Sequence, residues 1–338
     1  MKTSFHSVRA GLLLLPILVL SCGHCPEKSL PLSAGAKTLQ VAGVFTTPIE
    51  EPWPTVIHQA CLQAKNELGI DYEWTESVPN PNVERVVREF AGRGFDLIIG
   101  DAFGNEEAVR HVAQDFPKTA FCFGSGRGPV PPNFSVFDDW IHEPAYLCGM
   151  LAGKLTKTNT VGVVGGYSVP EVNRLVNAFS AGAKAANPAA RVKVIFINSW
   201  FAPLKAKEAV HAASALGADV FYAERYGAIE AVKELNLLAF GNILPQASLA
   251  PDHVVTGPVW KMFPTIGSIV RSIRGGTYSA RDYAEWSMMK KGGAELAPYG
   301  KFEEKLSPEL KAMVEDKTKE ILSGTFVVPV NEEIPTSD

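Results

Sequence analysis

Positive charge is not in excess in this sequence: 32 Lys and Arg stand against 36 Asp and Glu, a formal net charge of −4. A chain with no basic surplus gains little from counterion release, which disfavours nucleic-acid binding at the outset. Histidine and cysteine are scarce, with seven and five residues. The histidines are scattered, and none pairs with another residue at zinc-ligand spacing; His111 and His211 fall in helical segments that look solvent-facing. Cys61, Cys122 and Cys148 lie far apart on apolar segments, where buried thiols are expected rather than a disulfide framework. The sequence has no Gly-x-Ser-x-Gly elbow, phosphate-binding loop, Gly-x-Gly-x-x-Gly or His-Glu-x-x-His motif. Gly124-Ser125-Gly126-Arg127-Gly128 is followed by prolines instead of a helix, which argues against a phosphate cradle. These absences leave little chemistry for an enzyme. The remaining enzymatic reading is a glycosidase-like or nucleoside hydrolase with Glu50 and Glu51 as an acid/base pair, and acidic loop residues are usually only solvated.

No long hydrophobic run is present either. The one near the N-terminus, Gly11 to Leu20, is too short for a bilayer core of about 30 Å. It follows basic Lys2 and Arg9 and ends in Val19-Leu20-Ser21-Cys22, the layout of a signal peptide over residues 1–21. Cys22-Gly-His-Cys25 matches the spacing of a redox motif but follows that segment and precedes a Pro/Ser/Gly-containing tether (22–37), not a strand-to-helix turn, so the redox reading is set aside.

What is there is a 46% hydrophobic chain in which strand-like and helix-like segments alternate twice. Apolar runs at Thr38–Thr46, Tyr72–Glu76, Phe95–Gly100, Thr119–Gly124 and Phe134–Phe137 predict one parallel sheet with intervening helices. After the small-residue helical stretch Ala145, Cys148, Gly149, Leu151, Ala152 and Leu155, a second set follows at Val161–Val164, Val192–Ile197, Val220–Ala223 and Leu238–Phe240. The expected division is lobe 1 from 38–139 plus 243–277 and lobe 2 from 140–242 plus 278–330. Val254–Val259 and a helix at Pro264–Arg274 are placed in lobe 1, with a crossing back near Tyr278 and a last helix at Pro308–Leu322.

In open parallel sheets ligands bind beyond the carboxyl ends of the strands. The residues there are Glu50, Glu51, Trp53, Asp101, Phe103, Tyr167, Trp200, Asn242 and Trp260. Tryptophans at strand ends suit a planar heteroaromatic ligand; each by itself would equally pack a hinge. Asp101 and Asn242 are the candidates for hydrogen bonding its edge.

Several segments together resemble the basic membrane protein family of ABC-transporter substrate-binding lipoproteins, the group containing purine-nucleoside receptor A. They are Glu76-Ser77-Val78-Pro79, Glu143 with Ala145-Tyr146 and Gly149 to Lys157, Val169-Pro170-Glu171-Val172 with Asn177-Ala178-Phe179, Asn187-Pro188, Asn198-Ser199-Trp200-Phe201, Ala239-Phe240-Gly241 and Leu296-Ala297-Pro298. The resemblance implies a type I periplasmic-binding fold, two doubly wound lobes joined by about three crossovers, closing on a purine-type ligand. The segment Val19-Leu20-Ser21-Cys22 separately resembles the lipobox of a bacterial lipoprotein signal, though Val19 stands where that pattern prefers Leu; that resemblance makes Cys22 the lipid-bearing first mature residue. The family resemblance makes Trp53 and Trp200 stacking rings, Phe103 and Trp260 wall residues, and His58 a polar partner or a helix residue facing the crevice. It also implies ABC permease and ATPase partners, no cofactor or metal, no nucleic acid, a monomer, and an extracytoplasmic, membrane-anchored location. Nucleoside binders of the group hold the ribose with a carboxylate and a lysine; here Asn242-Ile243-Leu244-Pro245 lacks the carboxylate, Trp260 replaces the lysine, and Ala202 stands where an Asp is expected. A free nucleobase, or a flavin or thiamine-like vitamin, therefore fits better than a nucleoside. The alternative function is the ligand-binding component of a signalling receptor.

Overall fold

The structure is a computed structural model that describes Met1 and residues 38–338. The signal segment, Cys22 and Cys25 lie outside the described residues.

The first half runs β1 (Gln40–Val44), α1 (Pro52–Leu68), β2 (Asp71–Thr75), α2 (Asn80–Gly92), β3 (Leu97–Asp101), α3 (Glu106–Asp115), β4 (Ala120–Gly124) and β5 (Phe134–Phe137). The second runs α4 (His142–Leu155), β6 (Thr160–Gly165), α5 (Pro170–Ala186), β7 (Arg191–Phe196), α6 (Pro203–Ala215), β8 (Val220–Ala223), α7 (Ala228–Glu234), β9 (Leu238–Phe240) and β10 (Val254–Thr256). Then come β11 (Pro258–Trp260), α8 (Phe263–Arg274), β12 (Ala294–Leu296) and α9 (Pro308–Ser323).

Strands β1, β3 and β4 are buried along almost their whole length, as parallel strands covered by helices on both faces must be. The two sheets share one plan. The first is ordered β2-β1-β3-β4-β5, and the second, read from its β7 edge, β7-β6-β8-β9-β10. In both, strand order reverses beside the first strand, β1 or β6, and the carboxyl ends there open a crevice. α1, α2, α5, α6, α8 and α9 carry proline in the first helical turn, where its fixed φ suits the helix and its missing N–H costs nothing. Two turns are set by caps: Glu51 accepts the Trp53 N–H at 3.0 Å to open α1, and Gly69, at φ 61°, closes it.

The boundaries drawn from the sequence need two corrections. Val254–Thr256 does not return to the first half, because β10 pairs in parallel with β9 and completes the second sheet. A β-branched run of three residues specifies a strand but not the sheet it joins. The return comes at α8, which packs against α1. It lasts through Tyr283: the Val136 N–H donates to the Arg281 carbonyl at 3.1 Å and the Tyr283 N–H to the Val136 carbonyl at 2.8 Å, covering the β5 edge. The last helix, at Pro308–Ser323, matches its expectation and lies on α4. Cys61, Cys122 and Cys148 are buried free thiols, as expected. Among the described residues no helix is long and apolar enough to cross a membrane.

The crossover helix α4 is held by α5 at backbone contact distance. A Cβ built on Gly149 would lie 2.0 Å from the Phe179 carbonyl oxygen, and one on Gly182 would lie 2.0 Å from that of Tyr146. The small residues of the crossover therefore permit a close helix crossing that no side chain can share. Gly149→Ala should lower stability by about 1–3 kcal/mol, the usual cost of overpacking, read as a lower thermal midpoint. An unchanged midpoint would show that the two helices do not cross so closely.

Candidate functional site

Both crevices contribute to one cavity. From the first half come Thr47, Glu51 and Trp53 after β1, Asp101 at the end of β3 with Phe103 beyond it, and Ser125 after β4; from the second come Glu171 at the start of α5, Trp200 after β7 and Arg225 after β8. The enclosed space is ≈ 30 Å³, beside a wider cleft of ≈ 430 Å³ that shares Phe103, Ser125 and Glu171 and is further walled by Phe137, Trp140, Asp138 and Arg174.

Each tryptophan is braced on its own side. Trp53 stacks on Phe137 with centroids 5.8 Å apart, and a Cβ on Gly124 would lie 2.3 Å from its ring, so the strand end has to be glycine for the indole to lie flat there. Trp200 meets Tyr167 at 4.9 Å, and Phe103, from the other half, at 5.0 Å and 86°. The indole nitrogens of Trp53 and Trp200 are buried without a hydrogen-bond partner, two donors left unused at the cavity.

The charged contacts also cross between halves. Arg225 donates from Nε to the Glu224 carboxylate at 2.9 Å, from Nη2 to its other oxygen, and from Nη1 to Glu51 at 3.5 Å and to the Trp200 carbonyl at 3.3 Å. Glu224 also accepts the Gly166 N–H at 2.9 Å. Ser125 Oγ donates to Glu171 at 3.0 Å. Burial pushes the Glu51 carboxyl up to about 7, against the pull of Arg225 and the Trp53 N–H, with Glu224 adding to the rise. Burial likewise pushes Asp101 up to about 7, although its carboxylate accepts the Phe103 N–H at 2.8 Å; Asp138 and Glu51 add to the rise.

Of the residues singled out from the sequence, Glu51, Trp53, Asp101, Phe103 and Trp200 are brought to this cavity. Glu50 stays exposed and Tyr167 backs Trp200 without lining the cavity. His58, Asn242 and Trp260 are placed elsewhere. His58 sits five positions after Trp53 on α1, roughly 140° around the helix, and its Nδ1 lies 3.2 Å from the Tyr72 hydroxyl beside Trp74. Asn242 is enclosed: its Oδ1 accepts the Tyr222 hydroxyl at 2.7 Å and its Nδ2 donates to the Glu224 carbonyl at 3.3 Å, so it fixes the turn carrying Arg225. Trp260 is 2% exposed, donates its indole N–H to Ser287 at 3.0 Å, and backs Trp53 at 5.9 Å. The structure adds Arg225 and the acid group Asp138, Asp139 and Glu171, of which only Glu171 falls in a segment that carries the family resemblance, and there without a role. The available signal was position, since Glu224-Arg225 and Asp138-Asp139 directly follow the apolar strands β8 and β5.

Two parallel-sheet halves with a cavity at their facing carboxyl ends define a solute-binding protein. Residues 41–332 match the family model described as ABC transporter substrate-binding protein PnrA-like, and the chain belongs to that family. It is 30% identical over 296 residues to a putative ABC transporter glucose-binding protein of Haloferax volcanii, covering 86% of this chain and 74% of that protein. It is also 30% identical over 277 residues to a purine-binding protein of Brucella abortus, covering 80% of this chain and 77% of that protein. A solved solute-binding protein of an ABC transporter system from Aeropyrum pernix superposes with a TM-score of 0.73 at 19% identity, covering 87% of this chain and 94% of that one. The family is one of transporter binding proteins and not of enzymes; it implies a small-molecule ligand, permease and ATPase partners, and work outside the cytoplasm.

Because Asp101 titrates near 7 when folded and near 3.8 when free, the stability it provides is complete below about pH 4 and is lost as pH rises through 7. Asp101→Asn keeps an acceptor for Phe103 and removes that loss. Thermal midpoints of the variant should gain on wild type between about pH 4 and 7 and run parallel above that; parallel curves throughout would remove the buried proton from this account.

Proposed function

We propose that this chain is a lipid-anchored receptor that captures a planar heteroaromatic solute, of the purine-nucleobase or vitamin kind, between Trp53 and Trp200 and presents it to an ABC permease. The observation that carries the reading is that the two halves each direct one tryptophan to the same cavity, with both indole N–H groups unengaged. Stacking needs a flat π-face and tolerates differences at the ring edge. Asp101, held in a neutral-to-anionic balance by burial, supplies a donor or acceptor for that edge. Closure of the halves is served by groups that reach across: Arg225 to Glu51, Ser125 to Glu171, and Phe103 to Trp200. The lipid on Cys22 is part of the same reading, as is monomeric operation.

A sugar is the rival ligand, favoured by the relative named as glucose-binding. Sugars also lie against indole faces, but they need hydroxyl partners around the whole ring. Calorimetric titration with adenine, guanosine, riboflavin, thiamine and glucose separates the two. A heteroaromatic compound should bind, and Trp53→Ala and Trp200→Ala should each weaken it by about 5- to 150-fold, the equivalent of ~1–3 kcal/mol per stacked base. Glucose binding alone, or an affinity indifferent to both substitutions, would refute the stacking role.

A further inference from the structure

We propose that the solute carries a positive charge, and that its charged group rests against Glu171 at the cavity wall, with the nearby carboxylates of Asp138 and Asp139 reinforcing it. The inference rests on the reading of the cavity as a solute site and narrows the class of solute.

The three residues each place a carboxylate oxygen within 4.8 Å of the others, where the carboxyl end of β5 meets the first turn of α5. Their neighbours do not neutralise them equally. Asp138 is satisfied, with Oδ2 receiving Arg174 at 2.7 Å and Oδ1 the Asp139 N–H at 3.0 Å. Asp139 is 1% exposed, and neither of its carboxylate oxygens has a hydrogen-bond donor. Glu171 takes only the Ser125 hydroxyl, at 3.0 Å. Two acceptors thus lie within reach of each other at the cavity wall, an arrangement that either a shared proton or a cation reconciles.

The nearby cations are already committed. Arg225 is held by Glu224 and Glu51, and Arg174 by Asp138 and Glu332. Among the described residues, Asp101, Asp139 and Glu171 have no ion-pair partner. Glu171 lines both the tryptophan cavity and the wider cleft, so a cationic group against it also lies beside aromatic faces, which attract positive charge. A bare divalent ion fits less well. It would have to take Asp138 oxygens that Arg174 and a backbone N–H already hold, with the guanidinium beside it. An organic cation, with its charge spread over a ring or carried on N–H donors, suits the acceptors as they stand.

Burial holds the Asp139 and Glu171 carboxyls well above the usual carboxylate range. Asp138 pushes both up and Arg174 pulls both down; Asp139 further raises Glu171 by its charge and by the hydrogen bond that a shared proton makes between the two carboxyls, which lowers Asp139, and Glu224 adds to the rise at Asp139. A bound cation therefore displaces a proton, and its affinity rises with pH.

The test uses matched probes that differ in charge: nicotinamide against 1-methylnicotinamide, and guanosine against 7-methylguanosine, titrated calorimetrically into the full chain, with calcium chloride as the metal arm. In at least one pair the cation should bind tenfold or more tighter than its neutral parent. Asp139→Asn should bring that ratio toward one while leaving the thermal midpoint of the ligand-free protein equal or higher, since the amide supplies the missing donor. A midpoint lowered by Asp139→Asn, with the ratio intact, would make Asp139 a structural residue and overturn the proposal. So would failure of both cations to bind, or a saturable calcium response that Asp139→Asn abolishes. Guanosine bound without preference for its methylated form would overturn the charge and leave the planar solute standing; glucose bound in place of every heteroaromatic probe would overturn both.

Discussion

The burial of Arg225 is the constraint on which the rest of the site depends. A guanidinium removed from water is tolerated only where carboxylates and carbonyls surround it, and loss of one partner leaves a buried charge unpaired. Here Glu224 comes from the same turn and the Trp200 carbonyl from beyond the end of β7, two strands away across the same sheet. Glu51 comes from the other half of the molecule, 174 residues away in sequence. Glu51 is also the residue that opens α1 and so aims Trp53. One ion pair thereby couples the approach of the halves to the placement of an aromatic wall. Asn242, Tyr222 and the Gly166 N–H form its support, which is why a residue that reads as a ligand contact is a brace.

The fold supplies this meeting point twice over. Both sheets place their reversal of strand order beside their first strand, so β1 with β3 and β6 with β8 present side chains from the same kind of position. The polypeptide between them is fixed by the close crossing of α4 and α5, not by bulky side chains. Rigidity in the crossover and polarity at the facing ends divide the two tasks, with packing in one place and recognition in the other.

The fold was legible in the sequence because strands covered on both faces read as unbroken apolar runs. Sheet membership was not: three residues at 254–256 and the stretch 281–283 carry no local mark of the edge they join. Trp53, Asp101, Phe103 and Trp200 could be found because they follow strand ends, where an indole or a carboxylate has no reason to be buried unless something meets it. His58 was misplaced by helix rotation, and Trp260 lies one layer too deep. Arg225 and Asp139 escaped notice because a charge beside a loop looks solvated until its partners, distant in sequence, are brought in by the fold.

The central claim is that the cavity shared by the two halves holds a flat solute between two indoles. Native mass spectrometry of the freshly purified protein, before and after denaturation, tests it most directly. The account predicts a single heteroaromatic compound retained at one copy per chain and absent from a chain in which both Trp53 and Trp200 are alanine. A sugar, or any compound held equally by that double variant, would contradict it.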